Sequence, residues 1–194
     1  MSPLRADAAR NRALLLAAAA DEFDEHGLDA SVADIARRAG VGKGTVFRHF
    51  PTKDDLIAAI VRSRIEELNA VAEELLTADD AGAALFTFVE TAARRQQERD
   101  LSFLRGAASP IDAQQRMATL LDRLVERAHE QGALRPDVTG TDVLLLMCAP
   151  NHVVSFAPDA SPDLWRRYLA IIVDGLRPEG ARPLPEPPPA GFSG

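Results

Sequence analysis

The 194-residue chain is predicted to be all-α, and three observations carry that prediction. Apolar residues recur at helical spacing along most of the chain, as in Ile57, Ile60 and Val61 or Leu120, Leu121, Leu124 and Val125. No stretch sustains the period-two alternation of β-branched residues that strands require. Glycine, proline and capping residues punctuate the apolar stretches where helices should start and stop. Hydrophobic residues make up 46% of the chain, enough for a sizeable core; with aromatics at 5%, that core must be mostly Leu, Ala, Val and Ile.

The first helix is expected over about Ala9 to His26, with Leu15, Ala18, Ala19 and Phe23 on one face and Gly27 as its stop. Arg5, Arg10 and Arg12 ahead of the apolar run Ala13 to Ala20 imitate an export signal. The same apolar face continues past Ala18-Ala19-Ala20 to Phe23, so a packed helix explains the run better.

From Ser31 to Lys53 the chain reads as two short helices joined by a glycine turn. The Ser31 hydroxyl can accept from an unsatisfied N–H in the first turn of the next helix. Val32, Ile35, Ala36 and Ala39 share one face, Gly40 supplies a positive-φ stop, and Val41 plugs the corner. After the turn Val46 and Phe50 point inward, Gly44, Thr45, Phe47 and Arg48 point outward, and Lys43 stands at the helix start. Pro51 ends the second helix. This is a helix-turn-helix, whose second helix enters the DNA major groove.

Thr52, followed by Asp54 and Asp55, opens a long helix that reaches about Leu76 and connects the head to the rest of the chain. Further helices are expected after Asp79-Asp80, over Leu101 to Gly106, over Asp112 to Gln131, from about Thr141 until Pro150 breaks it, and over Leu164 to Leu176. Six of the last 17 residues are proline, and they lack apolar periodicity, which predicts a solvated tail. The domain boundaries expected are therefore 1–53 for the head, 54–177 for a helical body and 178–194 for a disordered tail.

Net charge is −7, but its distribution matters more than its sum. Arg37, Arg38, Lys43, Arg48 and Lys53 lie between Ile35 and Lys53 with no acidic residue among them, and the chain has no other lysine than Lys43 and Lys53. Acidity elsewhere disfavours indiscriminate binding of DNA by the rest of the surface.

The chemistry of catalysis is not evident. Gly40 to Thr45 imitates a phosphate loop, but Arg37 and Gly44 stand where that pattern needs glycine and Ser or Thr, and no strand precedes it. His26, His49, His129 and His152 show no ligand spacing, so no metal is expected. Asp21, Glu22, Asp24 and Glu25 read as a solvated helix face. The single cysteine, Cys148, excludes an intrachain disulfide, fits a reducing cytoplasm and is expected to be a buried thiol. No run approaches a membrane span. Neither an enzyme nor a cofactor is expected.

The helical body offers a candidate pocket of Phe88, Phe103, Met117, Leu121, Met147, Asn151 and His152, suited to an apolar or amphipathic compound. Asn151 and His152 follow Pro150 and read equally as orienting polar groups or as a frayed helix end; Phe103 and Arg105 present the same pair of readings.

Residues 9 to 68 resemble the TetR-type transcriptional repressors. The resemblance rests on Leu15, Ala18-Ala19, Phe23 and Gly27, on Ile35-Ala36 and Ala39-Gly40-Val41, and on Lys43-Gly44-Thr45-Val46-Phe47, His49-Phe50, Lys53 and Leu56. It implies a homodimer that binds a near-palindromic double-stranded DNA operator and releases it when a small molecule enters the C-terminal domain. By position it puts Lys43, Gly44, Thr45, Phe47, Arg48 and His49 on the DNA side, with Ser31, Arg37 and Lys53 near phosphates. Phe47 stands where the family usually has tyrosine, and Gly42 where serine is common. The last two amphipathic helices, with Leu145, Cys148, Trp165, Leu169, Ile172 and Val173, are expected to pair with their copies in a four-helix interface. The competing reading is a helical interaction module whose head has lost DNA binding.

Overall fold

The computed structural model describes residues 3–98, 110–150 and 161–188. The chain divides into two compact units, the first of Met1–Arg64 with Arg99–Pro110 and the second of Ile65–Glu98 with Ile111–Gly194.

The first unit contains α1 (Pro3–His26), a short 3-10 turn (Gly27–Asp29), α2 (Val32–Arg38), α3 (Lys43–His49) and the start of α4 (Lys53–Leu75). Leu15, Ala19 and Phe23 bury the predicted face of α1, and Gly27 ends it with φ 59°. Asp34 N–H donates to Ser31 Oγ at 3.2 Å, the predicted cap of α2. Gly40 has φ 67°, Val41 N–H reaches Ala36 O at 3.0 Å, and Gly40 N–H reaches Arg37 O at 3.2 Å. Those two bonds close the C-terminus of α2 as a Schellman motif, which needs a left-handed residue where Gly40 stands. Ile35, Ala36, Val46 and Phe50 are buried. At the start of α4, Thr52 and Asp55 cap each other: Asp55 N–H donates to Thr52 Oγ1 and Thr52 N–H donates to Asp55 Oδ2, both at 3.0 Å.

The second unit contains the rest of α4, then α5 (Ala81–Glu98), α6 (Ile111–Glu130), α7 (Gly140–Leu146) and α8 (Leu164–Leu176). Its core gathers Leu85, Phe88, Val89, Met117, Leu121, Leu124, Val143, Met147, Trp165 and Leu169 around Ala72. Helix ends are closed by side chains from other helices. Arg127 of α6 donates to Leu76 O and Ala78 O, both at 2.6 Å, satisfying carbonyls beyond α4. Gln131 accepts from Ala81 N–H at 2.7 Å and donates to Asp79 O at 2.8 Å, holding the start of α5. Thr139 and Asp142 form a capping box on α7. That helix stops at Leu146, four residues before Pro150, where its break was predicted: Cys148 N–H turns to Leu145 O at 3.2 Å, and Ala149 and Pro150 are helical again, so the break precedes the proline.

Residues 179–188 are exposed and carry no helix, but backbone groups of the tail as far as Leu184 are bonded to the second unit. Arg135, 9% exposed, donates to Asp137, Gly175 O and Arg182 O, and Asp137 Oδ2 accepts from Leu184 N–H at 3.1 Å. A proline-rich segment needs no periodicity of its own when buried side chains elsewhere bond its backbone. Residues 189–194 and the helix predicted over Leu101 to Gly106 lie outside the described residues.

Candidate nucleic-acid interface

Helix α3 is seven residues long and is anchored by Val46, 1% exposed, and by Phe50 just beyond its end. These anchors point the other side of α3 outward. Lys43, Gly44, Phe47, Arg48 and His49 are exposed, and Thr45 is half-buried. Nothing lies within 4 Å of where a Cβ on Gly44 would sit, so another molecule's backbone can approach closely there. Phe47 presents an apolar ring, 47% exposed, among these polar groups. Gly42 caps α3 without any side-chain bond.

The five basic residues between Ile35 and Lys53 are not equally available. Arg37 is open to solvent, with its guanidinium 2.8 Å from Asp34. The Ser31 hydroxyl, and next Arg37, hold the Asp34 carboxyl below its usual range. Arg48 folds back along its own helix, donating to Gly44 O at 3.2 Å and Thr45 Oγ1 at 3.0 Å. Lys53, expected near a phosphate, instead donates to Leu28 O and stands 5.5 Å from the Phe23 ring centroid. Arg38 faces inward to α1, where it bonds Glu22 at 2.9 Å and both oxygens of Glu25. Lys43 extends from the start of α3 into solvent. The predicted island of positive charge is therefore part outward-facing surface and part scaffold.

The acidic turn of α1 also departs from its predicted role as a solvated face. Glu22 is 3% exposed and takes Arg38 on one oxygen and His26 Nδ1, 3.2 Å away, on the other. The Arg38 bond likewise depresses the Glu25 carboxyl. Glu22, Glu25 and His26 bring ligand atoms within 4.8 Å of one another, a spacing that could suit a metal. The Arg38 guanidinium already bonds both carboxylates, so the group works as an ion-pair lock between α1 and α2. The i, i+4 spacing of Glu22 and His26 was visible in the sequence; the partner thirteen or more residues away was not.

In the second unit, the predicted pocket residues Phe88, Met117, Leu121 and Met147 meet in one core, while Phe103, Asn151 and His152 lie outside the described residues. The predicted subunit-interface set separates. Trp165 and Leu169, at 3% and 5% exposure, are buried in the core of their own unit and cannot serve a partner. Leu145 is exposed, and Cys148, Ile172 and Val173 are half-buried. Ile171, 55% exposed, was missed; the outward stripe of α8 is rotated from the predicted one because the single large indole turned inward. Among the described residues, no helix is long and apolar enough to cross a membrane.

Comparison with known proteins gives this geometry its context. The profile of the bacterial regulatory proteins of the tetR family matches residues 15–60, which hold α2 and α3. The C-terminal domain profile of SbtR-like transcriptional regulators matches residues 80–178. The chain is 30% identical over 164 residues to the HTH-type transcriptional repressor Rv1474c of Mycobacterium tuberculosis, covering 79% of this chain and 73% of the relative. It superposes on the TetR transcription regulatory protein of Mycobacterium vanbaalenii with a TM-score of 0.65 at 35% identity, covering 90% of this chain and 99% of that one. The regulator SCO0520 of Streptomyces coelicolor gives a TM-score of 0.65 at 31% identity, with coverages of 86% and 98%. With its helix-turn-helix, its helical body and these matches across both, the chain belongs to the tetR family and is a DNA-binding transcriptional regulator.

Proposed function

We propose that the protein is a dimeric, cytoplasmic repressor that holds a near-palindromic operator through two copies of α3 and lets go when an apolar or amphipathic compound enters the second unit. The exposed face of α3 carries this reading. Lys43, Gly44, Phe47, Arg48 and His49 stand outward on a helix fixed from behind by Val46 and Phe50. Thr45 lies at its margin, and Ser31 and Arg37 flank it on α2 for phosphates.

One short helix reads few base pairs, whereas two heads spaced about 34 Å apart multiply specificity. The exposed Leu145 and Ile171, with Ile172 and Val173 beside them, supply apolar area for a second copy. Residues of α4 belong to both units, so a compound that favours one position of α4 biases the head. The chemistry of this mechanism is binding and displacement, with no bond made or broken.

A binding assay on duplexes selected from a random pool tests the reading. The selected sequence should be an inverted repeat bound by two chains, with affinity that falls steeply as salt rises. Lys43→Ala should change which sequence is selected. Equal affinity for selected and random duplex would refute sequence-specific repression.

A further inference from the structure

Asn69 lies on the inner side of α4 at 0% exposure. Its Nδ2 donates to Glu66 Oε2 at 3.3 Å and to Ala113 O at 3.4 Å. Both partners are acceptors, which fixes the amide orientation, since the flipped form would set oxygen against oxygen. Oδ1 therefore points away from them, and it has no hydrogen-bond partner. A buried acceptor left unmade costs stability, so its retention calls for an explanation.

The surroundings supply one. Ala72, one turn along α4, belongs to the core that contains Phe88, Met117, Leu121 and Met147. Ala113, which receives the Asn69 amide, precedes Met117 by one turn on α6. Unbranched methionines re-pack readily around a guest. A second orphan, Gln97 Nε2, sits on α5. α5 returns from α4 after the five residues 76–80, and its Arg95 meets Glu67 at 3.5 Å. Arg116 of α6 grips α4 on either side of Asn69, at Glu66 (2.9 Å) and Glu73 (2.7 Å).

We infer that Asn69 Oδ1 is the hydrogen-bond acceptor for the effector, and that the effector is a mainly apolar molecule carrying a hydroxyl or N–H donor. Among the described residues of the unit, the buried charged side chain is Arg135, and its guanidinium is taken by Asp137 and backbone carbonyls. The inference rests on the ligand-responsive reading above and names the contact through which a ligand grips α4.

Trp165, the chain's single tryptophan, lies in the same core and reports on it by fluorescence. Titration of the full chain with 1-octanol and with its isomer heptyl methyl ether, which lacks the donor, tests the assignment. The alcohol should bind at least tenfold more tightly, and Asn69→Leu should bring the two within about twofold while circular dichroism stays unchanged. Equal binding of the isomers by the wild-type chain, an absence of saturable octanol binding, or a preference that survives Asn69→Leu overturns the inference. The wild-type comparison decides the matter even if the variant fails to fold. Operator affinity under saturating octanol separates the two readings. Asn69-dependent binding that leaves the operator held refutes ligand-released repression alone. Release by an apolar compound indifferent to Asn69 refutes the anchor alone.

Discussion

Lys53→Met separates a scaffold role from a DNA contact at one residue. The ammonium donates to Leu28 O and stands 5.5 Å from the centre of the Phe23 ring, tying the start of α4 to the turn after α1. Methionine keeps most of the stem and removes the charge. A charge-assisted hydrogen bond at a solvent-accessible site is worth about 1 kcal/mol once screening is allowed for, below the range for buried charged groups. The aromatic contact adds about 0.5 kcal/mol. The sum, about 1.5 kcal/mol, should lower the melting midpoint of a chain this size by roughly 3–6 °C.

DNA binding gives the second readout. A lysine that neutralises a phosphate contributes about 0.9 to the slope of log affinity against log salt. If Lys53 is scaffold, Lys53→Met keeps that slope while the melting midpoint falls. Lys43→Ala, at an exposed position on α3, should do the reverse. A slope reduced by nearly one in Lys53→Met, with an unchanged midpoint, would refute the assignment and return Lys53 to the phosphate backbone.

Two further predictions concern the second unit. A Cβ on Gly140 would lie 2.3 Å from Asp122 Oδ1, 3.0 Å from Asp122 N and 3.2 Å from its Cα. The carboxylate can swing aside but the backbone cannot, so Gly140→Ala should cost roughly 1–3 kcal/mol in overpacking, against about 1 kcal/mol regained from helix propensity. Denaturant titration should show a net loss, whereas Gly175→Ala, with nothing within 4 Å, should show none; a stabilised Gly140→Ala would mean that α6 and α7 are not in contact there. The bond from Arg135, reinforced by the Leu184 N–H, lowers the Asp137 carboxyl from 3.8 to about 2. Because the folded value is the lower one, the stabilisation is complete above the ordinary value and fades as pH falls through about 2. Melting midpoints between pH 5 and pH 2 should therefore fall less steeply in Asp137→Asn, and identical profiles would remove Asp137 from the clasp.

The sequence alone determined the elements whose causes are local. Capping by Ser31, the left-handed stop at Gly40, the inward pair Val46 and Phe50, and the reciprocal cap of Thr52 and Asp55 all act within about five residues. Spacing therefore disclosed the head and the outward residues of α3. What tertiary structure decided was the fate of side chains whose partners lie far along the chain. Arg38 and Lys53 belong to a charge island by composition, yet Glu22 and Leu28, 16 and 25 residues away, draw them into the scaffold. Trp165 and Leu169 looked available to a second copy because periodicity shows that a helix has an apolar face without saying what covers it. Asn69 gave no signal in sequence, since a buried amide with one satisfied end is defined by Glu66, Ala113 and the core around it. Local hydrogen bonding is encoded in short spacings, whereas burial and long-range pairing exist only once the helices have packed.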